Sequence, residues 1–319
     1  MTAPGPADLA SLLASGEHDA FRGRPADAVG TLQRAVVVAR SQGRPAEVTT
    51  AGWLLGVALG AAGRYGGALT VLSPLVDAGQ APDAGPERRR YAALAASTLA
   101  SVQRQLGRHA VARDADQTAL DLTDGTGLAA FDAQLGLAAD AVGLGELDAA
   151  SERAAAAAAL VPDGSGEWWR QRVRLGWVQA DIALLEGRPH EAADAARGAV
   201  RLAEDAAAPR HVAKGLLYLG LAQVSGGSPD AQAAILTLRR AAALAESLGA
   251  VPLIWPTRAL LGALTASGAG PAAIAESTRS LAAARAAVTA IAGDLPPGVR
   301  GEWLSRPEVS ALMAGSASS

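Results

Sequence analysis

Apolar and polar positions along the chain follow helical spacing, in segments that a glycine-led turn interrupts again and again. The turns are Gly23-Arg24-Pro25, Gly63-Arg64-Tyr65, Gly107-Arg108-His109, Gly145-Glu146-Leu147, Gly187-Arg188-Pro189, Gly227-Ser228-Pro229 and Gly268 to Pro271. Steps between the leading glycines are 40, 44, 38, 42, 40 and 41 residues. Such a period marks a repeat architecture, in which each unit packs only on its neighbours. Helix pairs are predicted at 7–22 with 25–42, 46–62 with 65–78, and 87–106 with 109–123. They continue at 128–144 with 147–160, 167–186 with 189–206, 210–225 with 229–248, and 255–267 with 271–292.

Two further positions keep phase with the turns. Seven residues before the glycine stands a small residue: Gly16, Gly56, Ala100, Ala138, Ala180 and Gly220. Five residues after it, in the first five units, stands an alanine: Ala28, Ala68, Ala112, Ala150 and Ala192. Small side chains at both places let the two helices of a unit cross closely. The glycine can end the first helix at positive φ, and Pro25, Pro189, Pro229 and Pro271 suit the start of the second.

Leu55-Gly56, Gly63-Arg64-Tyr65 and Ala68 together resemble the tetratricopeptide-repeat signature, as do Leu137-Ala138, Gly145, Ala150 and Pro162. The resemblance implies an all-α solenoid of about seven helix–turn–helix units in a right-handed superhelix. The period near 40 is longer than that repeat's 34. Residues 1–293 form the repeat domain, and 294–309, with Trp303 and Leu304, form a short capping helix that hides the last apolar face. The string Leu295-Pro296-Pro297, Arg300, Trp303-Leu304, Arg306-Pro307, Val309 is similar to tails that close the repeat regions of large actinobacterial regulators. Residues 310–319 are expected to be a disordered Ala/Ser end.

Composition agrees with helices. Alanine supplies 79 residues and aromatics only 3%, which suits close helix packing and disfavours a sheet. The uncharged run between Glu47 and Arg64, 16 residues with overlapping GxxxG patterns at Gly52, Gly56 and Gly60, is shorter than a membrane span of roughly 20. No basic n-region or apolar h-region opens the chain, so a cytoplasmic protein is expected. Net charge is −3, without the basic footprint of a nucleic-acid binder.

Catalytic and cofactor signatures are missing from the sequence. Cysteine is absent, Lys214 lies in no phosphate-binding loop, and His190-Glu191 lacks the second histidine of a zinc helix. The pair Asp114/Asp116 is assigned to a solvated helix face. No enzyme activity and no cofactor are expected.

In tetratricopeptide arrays the first helix of each pair lines the concave groove. The resemblance therefore places Trp53 and Val57, Ser97, Ser101 and Arg104, Arg174, Trp177 and Asp181, and Lys214 on that surface. Helical spacing adds that Arg170, Arg174, Trp177 and Asp181 share one face, and that Arg90, Ser97, Ser101 and Arg104 share another. Arginine forks beside a tryptophan suit a peptide carboxylate or an acidic segment. The competing reading is that Trp177 packs between repeats and the arginines are solvated. Two functions follow: a protein- or peptide-binding scaffold with an open, arginine-rimmed groove, or a small-molecule- or peptide-sensing module acting on a separate transcriptional regulator or ATPase. A pocket closed over by the superhelix favours the second.

Overall fold

The computed structural model describes residues 8–164, 166–226, 230–268 and 270–315. Among these residues it is all-helical, without a strand. Seven helix pairs follow in order: α1 (Leu9–Phe21) with α2 (Pro25–Ser41), α3 (Pro45–Ala61) with α4 (Tyr65–Gln80), and α5 (Pro86–Gln105) with α6 (His109–Asp121). Then come α7 (Gly127–Leu144) with α8 (Leu147–Ala159), α9 (Trp169–Leu185) with α10 (Pro189–Asp205), α11 (Pro209–Val224) with α12 (Ala231–Leu248), and α13 (Val251–Ala266) with α14 (Pro271–Asp294). The sixth turn, Gly227-Ser228-Pro229, lies outside the described residues. Gly63, Gly107, Gly145 and Gly187 take φ of 77°, 76°, 76° and 71°. That left-handed conformation ends the first helix cheaply only at glycine.

The crossing within each pair is set by a volume trade. Where the first helix carries glycine, a leucine of the second helix fills the space: Gly16 faces Leu32, Gly56 faces Leu72, Gly220 faces Leu238 and Gly262 faces Leu281. A Cβ on Gly220 or Gly262 would meet its leucine at 2.7 or 2.8 Å. In units three to five the first helix carries Ala100, Ala138 or Ala180 instead, and all three are fully buried. There the leucine position, nine residues after the turn glycine, holds Asp116, Ala154 or Ala196. Gly56→Ala is therefore expected to overpack Leu72 and cost about 1–3 kcal/mol. Adding Leu72→Ala recreates the Ala–Ala pair of units four and five, so the double variant should lose less stability than the two single losses summed. Strictly additive losses in urea denaturation would refute the trade.

Successive first helices pack on one another from α3 to α13, and the coil closes on itself. At one seam, Arg22 Nε at the end of α1 donates to the Ala206 carbonyl after α10, 3.1 Å away. The Arg22 guanidinium lies over the Trp169 ring, and that of Arg170 over Phe21. At the other seam, the Gly67 amide of α4 donates to Asp294 Oδ2 at the end of α14, over 3.2 Å. One apolar cluster crosses this seam, joining Leu54, Leu72 and Leu106 to Ile291 and Trp303.

The C-terminal cap differs from the single helix expected over 294–309. It is two short helices, α15 (Pro297–Leu304) and α16 (Pro307–Ala314). The tail assigned to disorder from residue 310 is helical through Ala314, because Val309 and Leu312 bury their side chains in the cross-seam cluster. Residues 316–319 lie outside the described part. Arg306 fastens the cap to unit three by donating to the Gln105 carbonyl at 3.2 Å.

Candidate ligand-binding cavity

The closed coil surrounds a cavity of about 350 Å³. Its wall comes almost wholly from the first helices, α3, α5, α7, α9, α11 and α13. Trp53, Val57, Ser97, Ser101, Arg104, Arg170, Arg174, Trp177, Asp181 and Lys214, all assigned to the concave face from sequence, line it. Arg90 does not. It sits near the exposed start of α5, with its guanidinium 5.7 Å from the Tyr91 ring centroid.

The structure changes the chemistry expected of these residues, because most of the arginines are already paired. Arg104 donates through Nη1 to Asp140 Oδ1 at 2.9 Å and to Asp116 Oδ2. Asp116, assigned to a solvated face, is completely buried, whereas Asp114 is exposed. It holds the repeat position that Leu32 and Leu72 occupy in units one and two. It points at α7, where Gly136 leaves room for its carboxylate. Burial pushes the Asp116 carboxyl up to about 8, against the pull of Arg104 and helped by the neighbouring charge of Asp140. Although burial opposes its charge, Asp116 and Asp140 hold Arg104 protonated above the ordinary range.

Arg170 and Arg174 are likewise not free rim charges, since both bind Asp132 of α7. Burial works against the Asp132 carboxylate, but Arg174 and Arg170 outweigh it and keep its pKa below the usual value. Asp181 accepts a 2.7 Å hydrogen bond from the Tyr218 hydroxyl. Its pKa is pushed up to about 6 by burial. Lys214 lies 4.5 Å from the Trp177 ring centroid, and burial lowers its pKa to about 8.

Trp177 is 6% exposed and packs with Val173, Val200 and Leu216 between repeats. It stacks on His211, with centroids 5.5 Å apart. Of the two readings the sequence offered, it follows the one in which Trp177 packs between repeats, and it is not an exposed platform. Trp53, half-buried, donates through Nε1 to Thr98 Oγ1 at 3.3 Å.

Several functional residues escape the sequence reading. Asp132 and Asp140 are the only charged residues of α7 and stand eight positions apart on one face, a signal that they turn inward. Arg210 lies four residues before Lys214 on α11. Its Nε has no hydrogen-bond partner, and no carboxylate pairs with it among the described residues. Burial, with Arg170 and Arg174 nearby, lowers its pKa to about 10. The Trp177 Nε1 and His211 Nδ1 atoms of the α9–α11 wall are also buried without a hydrogen-bond partner.

These shifts fix a pH dependence. An acid whose pKa is raised by folding keeps a proton that the unfolded chain has lost, so its contribution to stability is greatest below about 4 and disappears as pH rises through the folded value. For Asp116 that loss extends up to about 8. Asp116→Asn should therefore flatten the fall in melting temperature between pH 5 and 8, roughly the window between the two values. Parallel melting curves for variant and wild type across that window would contradict the assignment.

Among the described residues, no group of three or more His, Asp or Glu side chains could hold a metal ion. No helix among them is long and apolar enough to cross a membrane.

No protein-family model and no curated protein sequence matches the chain. In fold it is similar to the Rap conjugation gene regulator of the plasmid pLS20, in the structure of that protein with the Phr* peptide. The TM-score is 0.66 at 14% identity, over 90% of this chain and 76% of that one. Identity this low carries likeness of fold alone. The chain is thus an all-α solenoid of tetratricopeptide-like helix pairs, similar in architecture to a Rap regulator.

Proposed function

We propose that this protein is a non-catalytic sensing module that takes an anionic small molecule or the end of a short peptide into the cavity of its coil. The observation that carries this reading is the closure of the repeat array around a cavity lined by charged side chains. An open scaffold groove would present its arginines to a protein surface. Here they are turned inward and mostly paired, and the volume is at the small end of the range for small-ligand sites. The similar fold of a regulator solved with a peptide supports a peptide end as one form of the ligand.

Binding would bridge the α9–α11 wall to the α3–α5 wall. Both seams of the coil lie against these walls, through Arg170 on Phe21 and Arg306 on the Gln105 carbonyl. A ligand that draws the walls together thereby changes how the seams pack, which is the differential contact a sensor requires. The outward signal then passes to a separate regulator or ATPase.

The test is a thermal-shift screen of short free-acid peptides, their amidated counterparts and small carboxylic acids. Ala139→Trp, which fills the cavity from α7, serves as the control. A ligand at a hundred times its Kd adds about 2.7 kcal/mol of stability. Stabilisation by free acids that is lost in Ala139→Trp supports the reading. Equal shifts in both proteins would place binding outside the cavity and refute it.

A further inference from the structure

The charges on the cavity wall do not balance, and the imbalance is local. Arg104 is matched by Asp116 and Asp140. Lys214 is matched by Asp181, which Tyr218 also binds. The remaining cations are Arg170, Arg174 and Arg210, and they face the single carboxylate of Asp132. Glu17, the other acid near Arg170, is exposed and forms no ion pair with it, so solvent screens it. Three positive charges against one leave an excess of two on one wall.

The same wall buries polar atoms that have no hydrogen-bond partner among the described residues. Trp177 and His211, 6% and 2% exposed, line the cavity, and their Nε1 and Nδ1 atoms lack partners. Arg210 Nε adds a third such atom. An anion seated between these arginines would relieve the repulsion among their guanidiniums. Across the cavity, Trp53 and Val57 offer an apolar face.

We propose that the wall formed by Arg170, Arg174 and Arg210 seats a group carrying two negative charges, a phosphate monoester or a pair of carboxylates, on a ligand whose apolar body lies against Trp53 and Val57. This rests on the sensing reading and names the chemistry of its ligand. One charge would leave the wall positive; two neutralise it. Arg210 is the anchor, because among the described residues no carboxylate occupies its fork, whereas Arg170 and Arg174 share Asp132.

Isothermal titration at low salt tests this with four probes: phenyl phosphate, phthalate, benzoate and inorganic phosphate. Phenyl phosphate or phthalate should bind at least about tenfold tighter than benzoate, a gap of about 1.4 kcal/mol. Whichever dianion binds tighter identifies the head group. Either should also outbind inorganic phosphate, which lacks the body. In Arg210→Gln the preferred dianion should lose about tenfold or more, benzoate should change less, and the ligand-free variant should melt no lower than wild type. A residue that merely supports the fold would lower that melting point.

Benzoate binding as tightly as both dianions, or Arg210→Gln binding them like wild type, would overturn the proposal. If benzoate then still binds and Ala139→Trp abolishes it, the sensing reading survives without the dianion. Binding of inorganic phosphate as tight as that of phenyl phosphate would overturn the apolar-body assignment. No response to any probe would overturn the proposal as a whole, while the peptide and carboxylic-acid screen decides the sensing reading separately.

Discussion

Arg104→Ala is expected to lower the stability of the protein by about 3–5 kcal/mol, the cost of stripping the counter-charge from a buried ion pair. Asp116 and Asp140 are both fully buried, and Arg104 bonds to each. Without it, two carboxylates face each other away from water. One would have to stay protonated through neutral pH, and the raised pKa of Asp116 shows which already leans that way. A buried group of this kind adds little net stability over well-packed apolar side chains of similar volume. Replacing Arg104, Asp116 and Asp140 with Met, Ala and Ala, which gives unit three the Ala–Ala crossing of units four and five, should return stability to near that of wild type. Urea denaturation distinguishes these outcomes. A single-variant loss below about 1 kcal/mol would mean the group is solvated after all.

Trp303→Ala should cost a comparable amount, about 3–5 kcal/mol, by leaving a cavity in the cross-seam cluster. Trp303 is 1% exposed and shares that cluster with Tyr65, Leu106 and Ile291. The loss should be local before it is global, because repeat proteins fray from their ends. Hydrogen exchange would read it: protection should fall first in α15 and α16, and with them at the Gly67 amide that Asp294 binds across the seam. Loss of protection spread evenly over α1 to α14 would contradict the role of the cap as a latch.

Much of this was legible in the sequence because it is local. The turn glycines, the small residue before them and the alanine after them recur at fixed distances, so they fix the phase of the helix pairs. The resemblance to tetratricopeptide repeats then implied that the first helices face inward, which put Trp53, Arg104, Arg174, Trp177 and Lys214 on the concave surface.

The rest depends on pairings far apart in the chain. Arg174 meets Asp132 across 42 residues, and Arg306 meets the Gln105 carbonyl across 201. No local pattern encodes such a contact, so the sequence offered no partners for the arginines and left both an open groove and a closed pocket in play. Asp116 is different. Aligning the units shows an aspartate where Leu32 and Leu72 stand, and a polar residue at a core position is a mark of a buried partner. Arg90 was misplaced for the opposite reason: it shares a helix face with Ser97, but it stands about two turns before Ser97, where α5 first reaches the cavity.

The central claim is that the coil holds a ligand in its cavity. It is tested most directly by purifying the protein gently from its own cells and identifying, by native mass spectrometry, what remains bound. A small anionic compound or short peptide is expected, one that leaves on denaturation and is missing from Ala139→Trp. The same mass recovered from both proteins, or no bound mass from wild type under conditions that keep it folded, would contradict it.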